Sequence, residues 1–128
     1  EYTDHSGTYY RYFPGRFMEA PAIFKKDGKY CMMMSGCTGW SANAARSAVA
    51  DSIFGEWKEL GNPCVGNNAE LTFQSQSTYV IPVQGGDKFI YMGDRWTPKN
   101  AIDGRYIWLP IEFEEERFTI RWHDEWKL

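Results

Sequence analysis

Residues 18–36 carry the feature that most restricts the fold. Two apolar runs, Ala20 to Phe24 and Tyr30 to Met34, flank an Asp27-Gly28 dipeptide. Asp-Gly between such runs signals a two-residue hairpin, because both central residues of a type I′ turn need φ > 0. An antiparallel strand with one wet face alternates apolar and polar residues, and these two runs do not. The hairpin is therefore expected in a sheet covered on both faces. Pro21 suits the start of a strand, where its missing N–H breaks no ladder bond. Glu19 stands at the mouth of that strand.

The pattern returns. Gln76 to Val83 leads through Gln84-Gly85-Gly86-Asp87 to Lys88–Asp94. Laying Ala20 on Ser77 places Glu19 on Gln76 and Gly28 on Gly85; one residue inserted in the second turn then sets Met34 against Met92. Each hairpin is followed by a Trp-containing loop (Cys37 to Trp40, Arg95 to Pro98) and two further strand-like runs. These runs are Arg46 to Ser52, for which helix is the rival because Ala-rich runs favour it, and Trp57 to Leu60 in the first unit, and Arg105 to Phe113 and Phe118 to Trp122 in the second. In the third run of the second unit, Tyr106, Trp108 and Pro110 share one face and Ile107, Leu109 and Ile111 the other.

Four short strands repeated at a period of roughly 40–60 residues are the mark of propeller blades. The expected fold class is all-β: a β-propeller fragment of about two four-stranded antiparallel blades. Residues 18–61 and 71–123 form the blades, with 61–70 as linker. Residues 1–17 end a preceding blade, with Thr8 to Phe13 as its outer strand, and 124–128 form a tail that covers a neighbour's edge. The first strand of each blade lines the central channel, so Glu19 and Gln76 are expected to face one cavity. A closed propeller needs at least four blades, more than 128 residues supply. The expectation is a piece of a longer protein, or a chain completed by association through its open blade faces.

A net charge of −3 argues against nucleic acid, which demands a basic footprint. No run of about 18 apolar residues suggests a membrane span, and no signal peptide is visible. The three cysteines match no zinc spacing. Cys31 reads as a buried small hydrophobe, while Cys37 and Cys64 lie in loops and are able to pair in an exported protein. His5 reads as a solvated surface residue, and Glu114 to Arg117 as a solvated charged turn. No phosphate-binding Gly-rich loop and no serine nucleophile elbow occurs. On its own residues, the loop around Trp40 is read first as a tight inter-strand loop with the indole packed down, and second as an aromatic platform. A Glu and a Gln on one cavity, ringed by Trp, Asn, Asp and Arg, suit a carbohydrate: hydroxyls pair with amides and carboxylates, and sugar faces stack on Trp.

Glu19-Ala20-Pro21-Ala22, Ser35-Gly36-Cys37-Thr38-Gly39-Trp40, Asn43-Ala44-Ala45-Arg46, Ala48-Val49-Ala50-Asp51-Ser52, Gly61-Asn62-Pro63-Cys64, Ser75-Gln76-Ser77-Thr78, Asp94-Arg95-Trp96 and Trp122-His123-Asp124-Glu125-Trp126 together resemble glycoside hydrolase family 43, in the branch related to exo-β-1,3-galactanases. The resemblance runs from about Met18 to the C-terminus. It implies a five-bladed propeller that cleaves glycosides with inversion, with this chain as its C-terminal portion. Glu19 takes the place of the general acid. Gln76 takes the place of the residue that holds the attacking water, as an amide or as an imidic acid. Thr38 resembles a substrate contact, with Trp40 and Asn43 nearby, and Asp94, Arg95 and Trp96 resemble a pocket wall. The family's earlier blades, with further sugar contacts, have no counterpart here. No cofactor and no catalytic metal is implied; a calcium ion in the central channel, the sugar and the linkage are not specified. The implied partners are a carbohydrate substrate and either a homo-oligomer or the missing blades, with neither nucleic acid nor membrane. The implied location is secreted or periplasmic. The alternative reading is a non-catalytic carbohydrate-binding propeller fragment.

Overall fold

The computed structural model describes residues 9–85 and 87–128. His5, Thr8 and the rest of residues 1–8 lie outside the described residues, as does Gly86. The chain is nearly all β. One antiparallel sheet holds β1 (Met18–Lys26), β2 (Lys29–Gly36), β3 (Arg46–Ala50) and β4 (Lys58–Gly61) in sequence order. The second sheet has the order β5-β9-β8-β7-β6, with β5 (Cys64–Val65), β6 (Gln76–Pro82), β7 (Phe89–Arg95), β8 (Arg105–Glu114) and β9 (Arg117–Arg121). Among the described residues, helix is confined to 3-10 turns at Ala69–Gln74 and Ala101–Asp103, and no helix is long and apolar enough to cross a membrane.

The first hairpin turns where Asp27-Gly28 directs it, with φ of 49° and 82°. Its second strand is buried on both faces: Met32, Met33 and Met34 are 1%, 0% and 3% exposed. Met33, with Cys31, Val49, Ala22 and Phe24, packs on the second sheet's Val80, Phe89, Tyr91, Leu109 and Ile120. Phe24 meets Phe89 and Phe118 with ring centroids 5.3 and 5.4 Å apart. The opposite face, Met32, Met34 and Ala48, is covered by Tyr12, Phe13 and Trp57.

Several expectations are corrected. Residues 9–13 form no strand. Phe13 takes φ 50°, and Arg16 N–H bonds Phe13 O in the Pro14-Gly15 turn. The Tyr12 and Phe13 rings fold down on the methionines instead of extending beside a partner strand. Within the expected linker, β5 adds a two-residue parallel strand to β9. Asn62 sets it up, accepting from Cys64 N–H at 3.0 Å and donating to Ala69 O at 2.9 Å. The tail folds back on its own sheet: Trp126 Nε1 donates to Trp108 O. Cys37 and Cys64 are not paired. Cys37 is exposed, whereas Cys64 points into the core, where burial pushes its thiol up to about 12. The Glu114 to Arg117 turn is more than solvated, since Glu116 bridges Lys29 of β2 and Lys58 of β4.

The register of the repeat also moves. Glu19 lies opposite Ser35, and Gln76 opposite Asp94. Each ladder then shifts by one residue, between Glu19 and Ala22 and between Ser77 and Tyr79. Met92 therefore corresponds to Met33, not Met34, and Tyr91 to Met32. The second turn carries two extra residues rather than one, since Val83 N–H closes on Lys88 O. Glu19 and Gln76 keep their equivalence.

Candidate functional site

The edge strands β1 and β6 run side by side where the two sheets meet. Ser77, nearly buried, donates its Oγ–H to Ala20 O at 2.7 Å. This fixes the two strand mouths together and brings both half-buried candidate side chains, Glu19 and Gln76, to one place. The bulge after Glu19 puts Ala20 at φ 52°. A left-handed alanine is disfavoured, and doubly so before proline. The strand mouth therefore holds local strain beside the carboxylate, as functional sites often do.

Gln76 Nε2 donates to Glu19 Oε1 at 3.1 Å and to Ser35 Oγ at 2.8 Å. Both of these bonds use the amide nitrogen, which directs Oε1 elsewhere as an acceptor. Inverting hydrolysis between two carboxylates places them about 6.5–9.5 Å apart; here carboxylate and amide touch. The cause is chemical as well as topological: homologous positions on adjacent edge strands are close, and an amide N–H donates to a carboxylate where a second carboxylate repels it.

A cavity of about 330 Å³ opens over this pair, lined by Glu19, Ala20, Gly39, Trp40, Gln76 and Trp96. Trp40 is 77% exposed, so the packed-down reading of its loop does not hold. The indole stands edge-on to Trp96, centroids 6.4 Å apart, and Trp96 Nε1 donates to Trp40 O at 2.8 Å. The two loops that follow the two hairpins are thus tied into one aromatic wall. Beyond it, a second hollow of about 540 Å³ includes Asp94, Arg95, Thr97 and Tyr106, and shares Trp40 and Trp96 with the first.

Other candidates are placed differently. Thr38 and Asn43 line a separate depression with Arg16, Arg46 and Glu59. Asn43 clamps Gly36, accepting from its N–H at 2.8 Å and donating to its C=O at 3.1 Å, and also donates to Thr38 Oγ1 at 2.6 Å. Thr38 in turn donates to Ser41 O. The pair therefore shapes the loop that presents Trp40. Arg95 donates through Nε and Nη2 to Phe73 O, and its guanidinium lies 4.8 Å from the Trp122 ring centre.

Two neighbours escaped the sequence reading. Ser35 holds Gln76, and the exposed Cys37 has its thiol pushed up by partial burial and by the adjacent Glu19. Counting back from Asp27-Gly28 without the bulge puts Gly36, not Ser35, opposite Glu19. The signal for the bulge was Ala20-Pro21 itself. Among the described residues, no group of three or more His, Cys, Asp or Glu side chains is gathered as a metal site.

No protein-family model matches the chain, and no curated protein matches it. Solved structures do. A glycoside hydrolase family 43 β-1,3-galactosidase in complex with galactodeoxynojirimycin superposes with TM-score 0.83 and 53% identity, over 87% of this chain and 32% of its own. A second family 43 β-1,3-galactosidase gives TM-score 0.83 and 42% identity, over 87% of this chain and 24% of its own. The exo-β-1,3-galactanase of Phanerochaete chrysosporium with β-1,3-galactotriose gives 0.74 and 34%, over 83% and 24%. The chain thus spans about a quarter to a third of the length of these structures.

Proposed function

Since the chain belongs to glycoside hydrolase family 43, we propose that it carries the catalytic acid and the water-holding amide of an inverting glycosidase acting on a galactose-type linkage in an oligo- or polysaccharide. One observation carries this reading: Glu19 and Gln76 converge on a single cavity walled by Trp40 and Trp96. In the proposed reaction, Glu19 gives its proton to the leaving glycosidic oxygen. Gln76 Oε1 accepts a hydrogen bond from the water that attacks the anomeric carbon from the other face. The second water proton passes to solvent as Glu19 is left ionised, and the anomeric configuration inverts. A sugar between the two side chains replaces their 3.1 Å contact. Trp40 and Trp96 offer edge and face to the apolar side of a pyranose. Asp94 and Arg95 border the adjoining hollow, where a leaving saccharide would extend. Thr38 and Asn43 act through the loop they hold.

The rest of the propeller, or a second copy, is proposed to cover the outer face of the second sheet, where Tyr79, Tyr106 and Trp108 are 54%, 74% and 51% exposed. Light scattering tests this: a monodisperse monomer at high concentration speaks against it. For a polymeric glycan substrate the proposed location is outside the cytoplasm, secreted or periplasmic. No cofactor is part of the proposed reaction.

The test is hydrolysis of β-1,3-galactobiose, with the anomer first released read by proton NMR, and sugar binding followed by calorimetry. Glu19→Gln is expected to keep binding and lose turnover by orders of magnitude, while Gln76→Ala slows every substrate. Release of the retained anomer would overturn the mechanism. Binding without turnover in the unaltered chain would favour the carbohydrate-binding alternative.

A further inference from the structure

A third hollow of about 540 Å³ lies beyond Arg95. Its polar walls are Asn67, Asn68, Gln74, Arg95 and Arg121, and its aromatic wall is Trp122. The lining holds two guanidinium groups and three amides, and no carboxylate side chain. Asp124 accepts from Trp122 Nε1 at 2.8 Å, and Glu112 of β8 pairs with Arg121 itself, its Oε2 3.5 Å from Nε, so that an incoming carboxylate meets the Nη side of that guanidinium. Arg95 spends Nε and Nη2 on Phe73 O, which leaves its Nη1 donors and its charge. Among the described residues it has no carboxylate within ion-pairing distance. The hollow is built rather than accidental. Phe73 sits in a left-handed backbone run (Thr72 51°, Phe73 55°, Gln74 59°), and the Arg95 fork on its carbonyl, with Trp122 packed against both, holds that run in place. Arg95 also lines the hollow beside Trp96, which in turn shares Trp40 and Trp96 with the Glu19 cavity.

We propose that this pocket binds an anionic sugar unit, a uronate, of a glycan that runs past Arg95 from the Glu19 cavity. The planar guanidinium pairs with a carboxylate through parallel hydrogen bonds. The amides pair with ring hydroxyls, and Trp122 takes an apolar sugar face. Neutral sugars gain only the last two. The proposal rests on the glycosidase reading for the direction of the chain, but its test does not depend on turnover.

Methyl β-D-glucuronide and methyl β-D-glucoside differ only in carboxylate against hydroxymethyl. Titrated into the 128-residue chain and followed by NMR at the Trp122 indole N–H, the glucuronide is expected to bind at least about tenfold more tightly, with an affinity that falls as salt rises. Arg121→Gln is expected to remove that preference while leaving signal dispersion unchanged, and Arg121→Lys to restore part of it. Equal binding of the two glycosides, binding of neither, or a preference that survives Arg121→Gln would overturn the proposal. Loss of galactobiose hydrolysis with the glucuronide preference intact would instead remove the glycosidase reading alone.

Discussion

Gly93→Ala tests the architecture beneath the site. Gly93 lies on β7 opposite Ser77 and next to Asp94, the partner of Gln76. A Cβ added there would overlap the Tyr91 hydroxyl and stand 2.8 Å from both Ser75 Oγ and Tyr91 Cζ. None of these atoms is the loose end of a flexible chain. Tyr91 is fully buried, Ser75 is 2% exposed, and their hydroxyls bond each other at 2.9 Å while Ser75 also donates to Thr72 O at 2.6 Å. Forcing a methyl group into such packing costs about 1–3 kcal/mol. If Tyr91 swings aside it forfeits its hydroxyl pair, about 1 kcal/mol more. The expected total is about 3 kcal/mol.

The assay is urea unfolding followed by tryptophan fluorescence. With a slope of about 1.5 kcal/mol per M, the midpoint should fall by about 2 M with the slope unchanged. Gly104→Ala is the control. Its φ is −65° and an added Cβ meets nothing nearer than 3.7 Å, so it should be neutral, or stabilising by a few tenths of a kcal/mol through the unfolded state. A Gly93→Ala midpoint within about 0.3 M of the parent, or an equal loss in Gly104→Ala, would refute the reasoning.

Other outcomes follow from the same structure. Cys64 and Cys31, held up to about 12 and about 11 chiefly by burial, have folded values above an unfolded thiol's roughly 8.5. Their contribution is intact below that value and lost as pH rises toward the folded ones. Each steepens the alkaline loss by about 1.4 kcal/mol per pH unit, so Cys64→Ala should flatten stability against pH between 9 and 11; an unchanged slope counts against it. Glu116, held below its ordinary range by hydrogen bonds from Lys29 and Lys58, should stabilise the fold above the unfolded carboxyl pKa and lose that contribution as pH falls through the folded one. Glu116→Gln should therefore blunt the acid limb in low salt and do nothing in high salt. Asn43→Ala should cost about 2 kcal/mol in thermal melts, because it strands both backbone groups of Gly36. Asn43→Asp keeps the acceptor and should cost less, and a reversed order would sink the clamp.

Much of the fold was legible because backbone chemistry and hydrophobic pattern pointed the same way. Asp27-Gly28 fixed one turn, unbroken apolar runs marked a sheet buried on both faces, and alternation through Tyr106–Ile111 sorted the faces of β8. The equivalence of Glu19 and Gln76 was legible too, because it depends on counting from the strand starts rather than through the turns. What sequence could not supply was tertiary. Whether Tyr12 and Phe13 extend or fold down depends on an uncovered methionine face. Asn43 looked like a sugar-binding amide, and its clamp on Gly36 required knowing that the loop doubles back. Arg95 looked like a pocket wall, and its fork on Phe73 O depends on a left-handed run that the residues Thr72-Phe73-Gln74 do not advertise.

A bulge in each first strand and two extra turn residues in the second hairpin make Met33 correspond to Met92, and Met32 to Tyr91. Met33 is the face by which the first sheet packs on the second, and Tyr91 is the face by which the second receives it. Met32, in the position of Tyr91, receives Tyr12 and Phe13. Each sheet therefore presents a giving face and a receiving face in the same order, so the contact is head to tail and not symmetric. A head-to-tail contact extends in one rotational sense, and the Met92 face of the second sheet, with Tyr79 and Trp108 directly paired to Met92 across the strands, is the next giving face in the series. The strand mouths then turn inward together, which is why homologous positions 57 residues apart, Glu19 and Gln76, meet at one point.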